Sequence, residues 1–186
     1  MAVILPKTHA TTWPGPLFFL AGPVRGGGDW QALAYQELKD AMGDKFTAAI
    51  PTRYDPDHPL MIEALTADPA MPMFPRQMAW ERHYLSLAGS RAKGVRGCVM
   101  FWLGKESSEN PHPGPEPYAM DTRREMGEWY TRLEYEGSDI WLVVGADPGF
   151  HGFDQIRRCL WEAQGSEFPI YQTLFDTARA AVMMAK

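Results

Sequence analysis

The sequence predicts one α/β domain, in which a parallel five-stranded sheet is covered by helices on both faces. Short continuous apolar runs, such as residues 17–21 and 98–103, are typical of strands buried on both faces. Amphipathic helical patterns alternate with these runs, which favours right-handed crossovers between parallel strands. The length of 186 residues fits a single domain, residues 1–186, with a core of its own.

The first predicted strand, residues 17–21, runs into a glycine-rich turn over residues 22–29. A helix is expected over residues 30–42, because apolar residues recur there at three- and four-residue spacing until Gly43 ends the pattern. Asp29 stands at the N-cap position of this helix. The turn therefore connects a buried strand directly to an amphipathic helix.

The second half of the predicted fold repeats this alternation around two proline-rich loops. Residues 51–75 contain six prolines and predict a long excursion with one helical turn near residues 60–65. Four more prolines fall in the loop of residues 104–117. The remaining predicted strands are residues 46–50, 98–103, 140–144 and 169–171, and the remaining helices begin near residues 76, 119, 153 and 174.

Composition excludes several classes of function. With 18 basic and 23 acidic residues, the formal charge of −5 speaks against binding to bulk nucleic acid. No apolar run approaches the roughly 18 residues of a membrane span, and the first residues lack the basic region of a secretion signal. Cys98 and Cys159 lie among apolar residues and are predicted to be reduced thiols. We therefore expect a cytoplasmic protein without a membrane partner.

Ligands of open parallel sheets bind beyond the carboxyl ends of the strands, so the loops of residues 22–29 and 104–117 are expected to flank one crevice. The glycine-rich turn can present backbone N–H groups and a helix N-terminus to an anion, and Arg25 adds a charge. The turn matches neither the P-loop nor the G-x-G-x-x-G pattern. A merely tight connection between strand and helix is the alternative interpretation.

A second candidate cluster opens the helix that follows the loop of residues 104–117. Thr122 and Glu125 have the spacing of a capping box, in which Thr122 or Asp121 caps the helix. Alternatively, Glu125 is a carboxylate at the crevice that attacks an anomeric carbon, and Gly127 permits close approach of a neighbour or ligand. Spacing alone leaves both interpretations open.

Four segments occur in an order that resembles a known family. Residues 19–23 read Phe-Leu-Ala-Gly-Pro ahead of Arg25-Gly26-Gly27, residues 77–81 read Gln-Met-Ala-Trp-Glu, residues 99–102 read Val-Met-Phe-Trp, and residues 122–129 read Thr-Arg-Arg-Glu-Met-Gly-Glu-Trp. Over about residues 17–144 the chain resembles the nucleoside 2-deoxyribosyltransferase family and related enzymes that hydrolyse nucleoside monophosphates at the N-glycosidic bond. The resemblance implies a flavodoxin-like, Rossmann-like three-layer sandwich, a homodimer or higher homo-oligomer, and no metal or organic cofactor.

The resemblance also implies a set of site residues. Glu125 would be the nucleophile that attacks C1′ of the sugar, and either Glu81 or His83 would protonate the departing base. The expected substrate-binding residues are Gly22, Pro23, Arg25, Gly26, Gly27, Asp29, Trp30, Trp80, Thr122 and Arg124. Some of these residues have alternative interpretations. Arg123 and Arg124 could keep Glu125 ionised, bind a phosphate or face solvent. Glu81 could instead lie on a solvated helix face, and Trp80 could be a core anchor.

The enzyme interpretation has two competitors. A nucleotide-binding sensor or effector module would keep the crevice without turnover. An interaction domain would instead dock a partner through the prolines of residues 104–117, which can form an extended polyproline segment. The sequence predicts a small-molecule nucleoside or nucleotide as the ligand and leaves the base, the sugar and the acceptor open.

Overall fold

The computed structural model describes all of residues 1–186 and contains a six-stranded, fully parallel sheet. The strands are β1 (Ala2–Ile4), β2 (Leu17–Ala21), β3 (Thr47–Ala49), β4 (Gly97–Leu103), β5 (Leu142–Ala146) and β6 (Ile170–Tyr171), in the order β1-β3-β2-β4-β5-β6. The helices are α1 (Trp30–Met42), α2 (Gln77–Gly89), α3 (Met120–Glu136), α4 (Phe153–Gln164) and α5 (Leu174–Met184). The predicted α/β fold with a parallel sheet is therefore confirmed.

The sheet has one strand more than the five that the sequence predicts. β1 pairs in parallel with β3 at the edge of the sheet, with Ala2 opposite Thr47 and Ile4 opposite Ala49. At three residues it is too short to give a periodic signal, and the chain returns from β1 to β2 without a helix. The predicted strand 140–144 lies two residues further along, as β5.

Two hydrophobic clusters pack on opposite faces of the sheet. One contains Trp80 of α2, Trp129 of α3 and Leu160 of α4, and the other contains Leu38 of α1 and Ala181 of α5. Successive residues of β2 alternate between the clusters, as the period of two in a strand requires. The molecule is thus a three-layer sandwich of the Rossmann or flavodoxin-like type.

The strand order places a switch point between β2 and β4. From β2 the chain passes through α1 to β3 on one side, and from β3 it passes through α2 to β4 on the other. The loops that follow β2 and β4 therefore open the crevice where ligands of such sheets bind. These loops touch, because the N–H of Ser107 donates to the carbonyl of Gly26 at 2.7 Å. A Cβ at Gly22 would lie 2.3 Å from the carbonyl oxygen of Trp102, so only glycine fits there.

Cys98 and Cys159 are free thiols. Cys98 is fully buried in β4, and this burial raises the pKa of its thiol. None of the helices combines the length and the apolar character needed to cross a membrane.

Candidate functional site

The glycine-rich loop between β2 and α1 presents free backbone donors at the crevice. No backbone N–H group of residues 24–28 donates to another group of the chain, and the side chain of Arg25 is exposed without an ion pair. Gly26 has a φ of 75°, and a Cβ there would lie 2.7 Å from the backbone nitrogen of His112. The loop thus has the backbone conformation and the unpaired donors that an anion or a sugar hydroxyl requires.

Asp29 and Trp30, which close this loop, have contacts within the chain. The indole Nε1 of the buried Trp30 donates to the carbonyl of Pro23 at 2.8 Å and so fixes the base of the loop. Asp29 precedes α1 as predicted, but its side chain does not cap the helix. Its Oδ1 instead accepts a hydrogen bond from the Tyr54 hydroxyl at 3.2 Å, and its Oδ2 lies 2.9 Å from Nε2 of His58. Asp29 therefore links the segment that follows β3, residues 51–75, to the glycine-rich loop by hydrogen bonds.

The capping-box interpretation of α3 is wrong. The helix begins at Met120, and the N-cap is Ala119 in a left-handed conformation, without a side-chain cap. Asp121 and Thr122 consequently lie inside the first turn of the helix, where Thr122 is buried. Because no cap uses the Glu125 carboxyl, its side chain is available for another role.

Glu125 is half-buried on α3, and its pKa is raised from 4.5 to about 8. Burial is the largest cause, and the negative charge of Glu81 on α2 is the second. Asp121 and Glu128 raise the pKa further, whereas the guanidinium of Arg124 lowers it. Burial and an acidic neighbour thus both favour the protonated carboxyl of Glu125, which is a pattern found at catalytic carboxyl pairs.

The Glu81 carboxylate is hydrogen-bonded by a side chain of its own helix, α2. Its Oε1 accepts from Nε2 of Gln77 at 2.9 Å, one helical turn earlier. Helices α2 and α3 are neighbours, since a Cβ at Gly89 would lie 2.1 Å from the ring of Trp129. The two carboxyl groups thus belong to adjacent helices that both begin at the carboxyl edge of the sheet.

His83, the other candidate acid, belongs to a different group of side chains. Its ring packs against the rings of His9, Phe74 and Tyr84, with centroids 4.9–5.6 Å apart. Burial, followed by the charges of His9 and Lys93, lowers the pKa of His83. Glu81 and His83 point to different sides of α2, and Glu81 is the one whose charge acts on Glu125.

Trp80 lies in the core rather than at the crevice. It is fully buried, its Nε1 donates to the carbonyl of Thr8 at 3.1 Å, and its ring lies 5.7 Å from that of Phe19. These contacts are those of the core anchor that the sequence offered as the alternative. Trp80 exposes no surface to solvent, so it has no surface with which to make the contact with substrate that the sequence predicted.

The two arginines before Glu125 differ. Arg123 donates to the carbonyl of His151 at 2.7 Å and lies 4.8 Å from the ring centre of Phe150, so it fastens α3 to the segment after β5. Arg124 is exposed, with a nitrogen 3.7 Å from Asp121 Oδ1. Gly127 does not serve close packing within the chain, because a Cβ there would meet nothing within 4 Å. Arg124 is thus the arginine that remains accessible to a ligand.

Two residues of the site were absent from the predicted set. The Tyr118 hydroxyl donates to the carbonyl of Gly104 at 2.8 Å, and its oxygen would lie 3.3 Å from a Cβ at Gly27, so it fills the junction of the two loops. Burial, with the nearby charge of Glu106, raises the pKa of Tyr118 to about 12. Gln77 was also missed, although its four-residue spacing from Glu81 is a sequence signal for a helical side-chain pair.

The chemistry that this arrangement offers is that of carboxyl groups and backbone donors. No group of three or more His, Cys, Asp or Glu side chains is placed to hold a metal ion. No protein-family model matches the chain, and no curated protein sequence matches it. The two features of the crevice that bear on function are therefore the Glu125 and Glu81 carboxyl groups and the glycine-rich loop of residues 22–29.

Proposed function

We propose that this protein is a nucleoside or nucleotide 2-deoxyribosyltransferase-like enzyme, which cleaves the N-glycosidic bond and passes the sugar to another base or to water. The single observation that carries the proposal is the Glu125 carboxyl, whose pKa is raised to about 8 beside Glu81 at the carboxyl edge of the sheet. The resemblance of the four sequence segments agrees with this choice of nucleophile. Among the acidic groups that raise the pKa of Glu125, Glu81 has the largest effect and is the one on a different helix.

The raised pKa of Glu125 favours its protonated form, and the proposed reaction uses this proton. Glu125 passes its proton to Glu81, which gives a Glu125 carboxylate and a Glu81 carboxylic acid. The Glu125 carboxylate attacks C1′ while the bond from C1′ to the base nitrogen breaks, and the base leaves with the proton of Glu81. Water or a second base then attacks C1′, returns its proton to Glu81, and releases Glu125.

The glycine-rich loop is the proposed binding site for the sugar or for a 5′-phosphate. Its unpaired N–H groups at residues 24–28 and the unpaired charge of Arg25 support this assignment. Arg124 supplies a second accessible charge on the α3 side of the crevice. We further propose a homodimer or higher homo-oligomer, as the resemblance implies, and a cytoplasmic location, as the expected reduced thiols indicate.

The proposal is tested by incubating the protein with a panel of nucleosides and 5′-monophosphates, with and without an acceptor base, and separating the products by chromatography. We expect base release, and loss of about 10³-fold or more of the rate in Glu125→Gln. Glu134→Gln, on an exposed part of the same helix, is the matched control and keeps full activity.

The sensor alternative gives the opposite result. Tight nucleotide binding by calorimetry, with no base released after long incubation, would replace the enzyme by a nucleotide-binding module. Full activity of Glu125→Gln would rule out the assigned nucleophile while leaving the enzyme class in place.

A further inference from the structure

The solvent-facing side of α4 carries an exposed tryptophan among charged side chains. Trp161 is 55% exposed and is the most exposed of the seven tryptophans. It belongs to a stripe of side chains at three- and four-residue spacing, which line one open depression on the surface of the helix: Asp154, Arg157, Arg158, Trp161 and Glu162. We call these five residues the α4 stripe. Tryptophan and arginine together are typical of the centre of a protein–protein interface.

The arginines of the α4 stripe have contacts toward the start of the helix only. Arg157 Nη2 donates to Asp154 Oδ1 at 3.2 Å, and Arg158 Nη2 donates to Gln155 Oε1 at 3.5 Å. The glutamate of the stripe has no ion pair within the chain, and no cation lies over the ring of its tryptophan. The second half of the stripe is therefore without the partners that its chemistry accommodates.

A second copy of α4 supplies these partners if the two helices pack antiparallel about a two-fold axis. Residues four apart share a side of a helix, so Arg158 and Glu162 lie on one side of the stripe and Arg157 and Trp161 on the other. With the axis between residues 159 and 160, Arg158 lies opposite Glu162 of the second copy, and Arg157 lies opposite its Trp161. Two-fold symmetry makes each contact twice, which gives two ion pairs and two cation–π contacts.

We propose that α4 is the contact surface of a homodimer in which the two copies of the helix pack antiparallel through the α4 stripe. A second copy fits this face because the stripe contains two acidic and two basic side chains, whose charges balance. A partner of one uniform charge, such as a nucleic acid, would instead face like charges at two positions. The inference rests on the homo-oligomer of the proposed function and names its surface, but it uses no residue of the crevice.

The first test removes the tryptophan and measures association of the full chain by sedimentation equilibrium over a series of concentrations. We expect the unmodified chain to form a dimer that dissociates on dilution, and Trp161→Ala to raise the dissociation constant about tenfold or more. Phe175→Ala is the matched control, because Phe175 on α5 is 49% exposed and Arg179, four residues later, lies 5.3 Å from its ring centre. The control should leave the dissociation constant unchanged.

The second test reverses one charge at a time and reads the antiparallel pairing directly. Arg158→Glu and Glu162→Arg each place like charges opposite each other at two points of the dimer, so each variant alone should be monomeric. An equimolar mixture of the two variants should form a heterodimer, because each chain then supplies the charge that the other lacks. The double variant Arg158→Glu/Glu162→Arg should form a homodimer again. Circular dichroism checks that each chain is folded.

The outcomes separate this inference from the proposed function. A monomeric unmodified chain at every concentration would overturn the inference together with the homo-oligomer, while base release still decides the enzyme. A dimer that persists in Trp161→Ala and in both single charge variants would keep the homo-oligomer and overturn the role of α4. Single charge variants that are monomeric and do not associate on mixing would overturn the antiparallel pairing.

Discussion

Two acidic sites at the same edge of the sheet differ in how their charge is accommodated. Asp29, beside the glycine-rich loop, has both carboxylate oxygens hydrogen-bonded, one to Tyr54 and one to His58. Glu125, on α3, is half-buried beside Glu81, and its pKa is raised to about 8. Asp29 accepts hydrogen bonds from two donors, whereas burial and an acidic neighbour disfavour the ionised form of Glu125.

The difference supports the proposed chemical role of Glu125 and assigns Asp29 a structural one. A carboxylate that accepts two hydrogen bonds stabilises local structure, here the contact between the excursion after β3 and the loop after β2. A carboxyl that lacks such donors and has an acidic neighbour costs stability at neutral pH, and such arrangements cluster at functional sites.

After the loss of cleavage in Glu125→Gln, the largest expected effect is that of Glu81→Gln on catalysis. Loss of the proposed proton donor should lower kcat about 10²- to 10³-fold, and less for substrates whose base leaves readily without a proton. In the unmodified protein, activity should fall above about pH 8 as the pair loses its remaining proton. Initial rates across pH test this, and the alkaline fall should be absent from Glu81→Gln. A variant with the same profile and rate as the unmodified chain would remove Glu81 from the mechanism.

Glu125→Gln should stabilise the fold even as it abolishes cleavage. The folded chain keeps the proton on Glu125 up to about pH 8, whereas the unfolded chain releases it near 4.5, so stability is lost as the pH rises between these values. The variant lacks this penalty, and its free energy of unfolding should exceed that of the unmodified chain by on the order of 1–4 kcal/mol at pH 8. Urea denaturation at pH 5 and pH 8 measures this gain, which should be small at pH 5. A gain that is equal at both values would contradict the burial of an unfavourable charge.

Asp29→Ala is expected to act in the opposite direction and by less. Nδ1 of His58 accepts from the N–H of Leu60, so Nε2 carries the proton that Asp29 receives, and truncation leaves this donor and the Tyr54 hydroxyl without their partner. The free energy of unfolding should fall by about 1–2 kcal/mol. Asp40→Ala, which removes one exposed hydrogen bond from Gln36, is the control and should cost less than about 0.5 kcal/mol. If Asp29→Ala lowers the free energy of unfolding no more than Asp40→Ala does, the hydrogen bonds of Asp29 do not stabilise the contact between the two segments.

The sequence predicted the layers of the fold because its strands are continuous apolar runs and its helices have clear periodicity. It did not reveal β1, since three residues at a sheet edge carry no period. Spacing and position indicated the glycine-rich loop, whereas the choice of Glu125 as nucleophile came from the family resemblance of the four segments. That Glu81 rather than His83 acts on Glu125 became visible only in the structure, because it depends on the orientation of α2.

The burial of Trp80 and the pairing of Asp29 were likewise beyond the sequence. Trp80 contacts Thr8, and Asp29 contacts Tyr54 and His58, at separations of 72, 25 and 29 residues along the chain. Such contacts depend on where residues 5–16, between β1 and β2, and residues 51–75, after β3, pack on the folded sheet. Neither segment has a periodic pattern from which that position could be predicted.

The central claim is that Glu125 forms a covalent bond to the sugar. It is tested most directly with a nucleoside whose sugar carries fluorine at C2′, since the electron-withdrawing fluorine slows the second step and lets the intermediate accumulate. Mass spectrometry of the quenched and digested protein should show the sugar mass on the peptide that contains Glu125, and no such peptide in Glu125→Gln. Release of the base with the Glu125 peptide unmodified, or with the sugar on another residue, would contradict the claim.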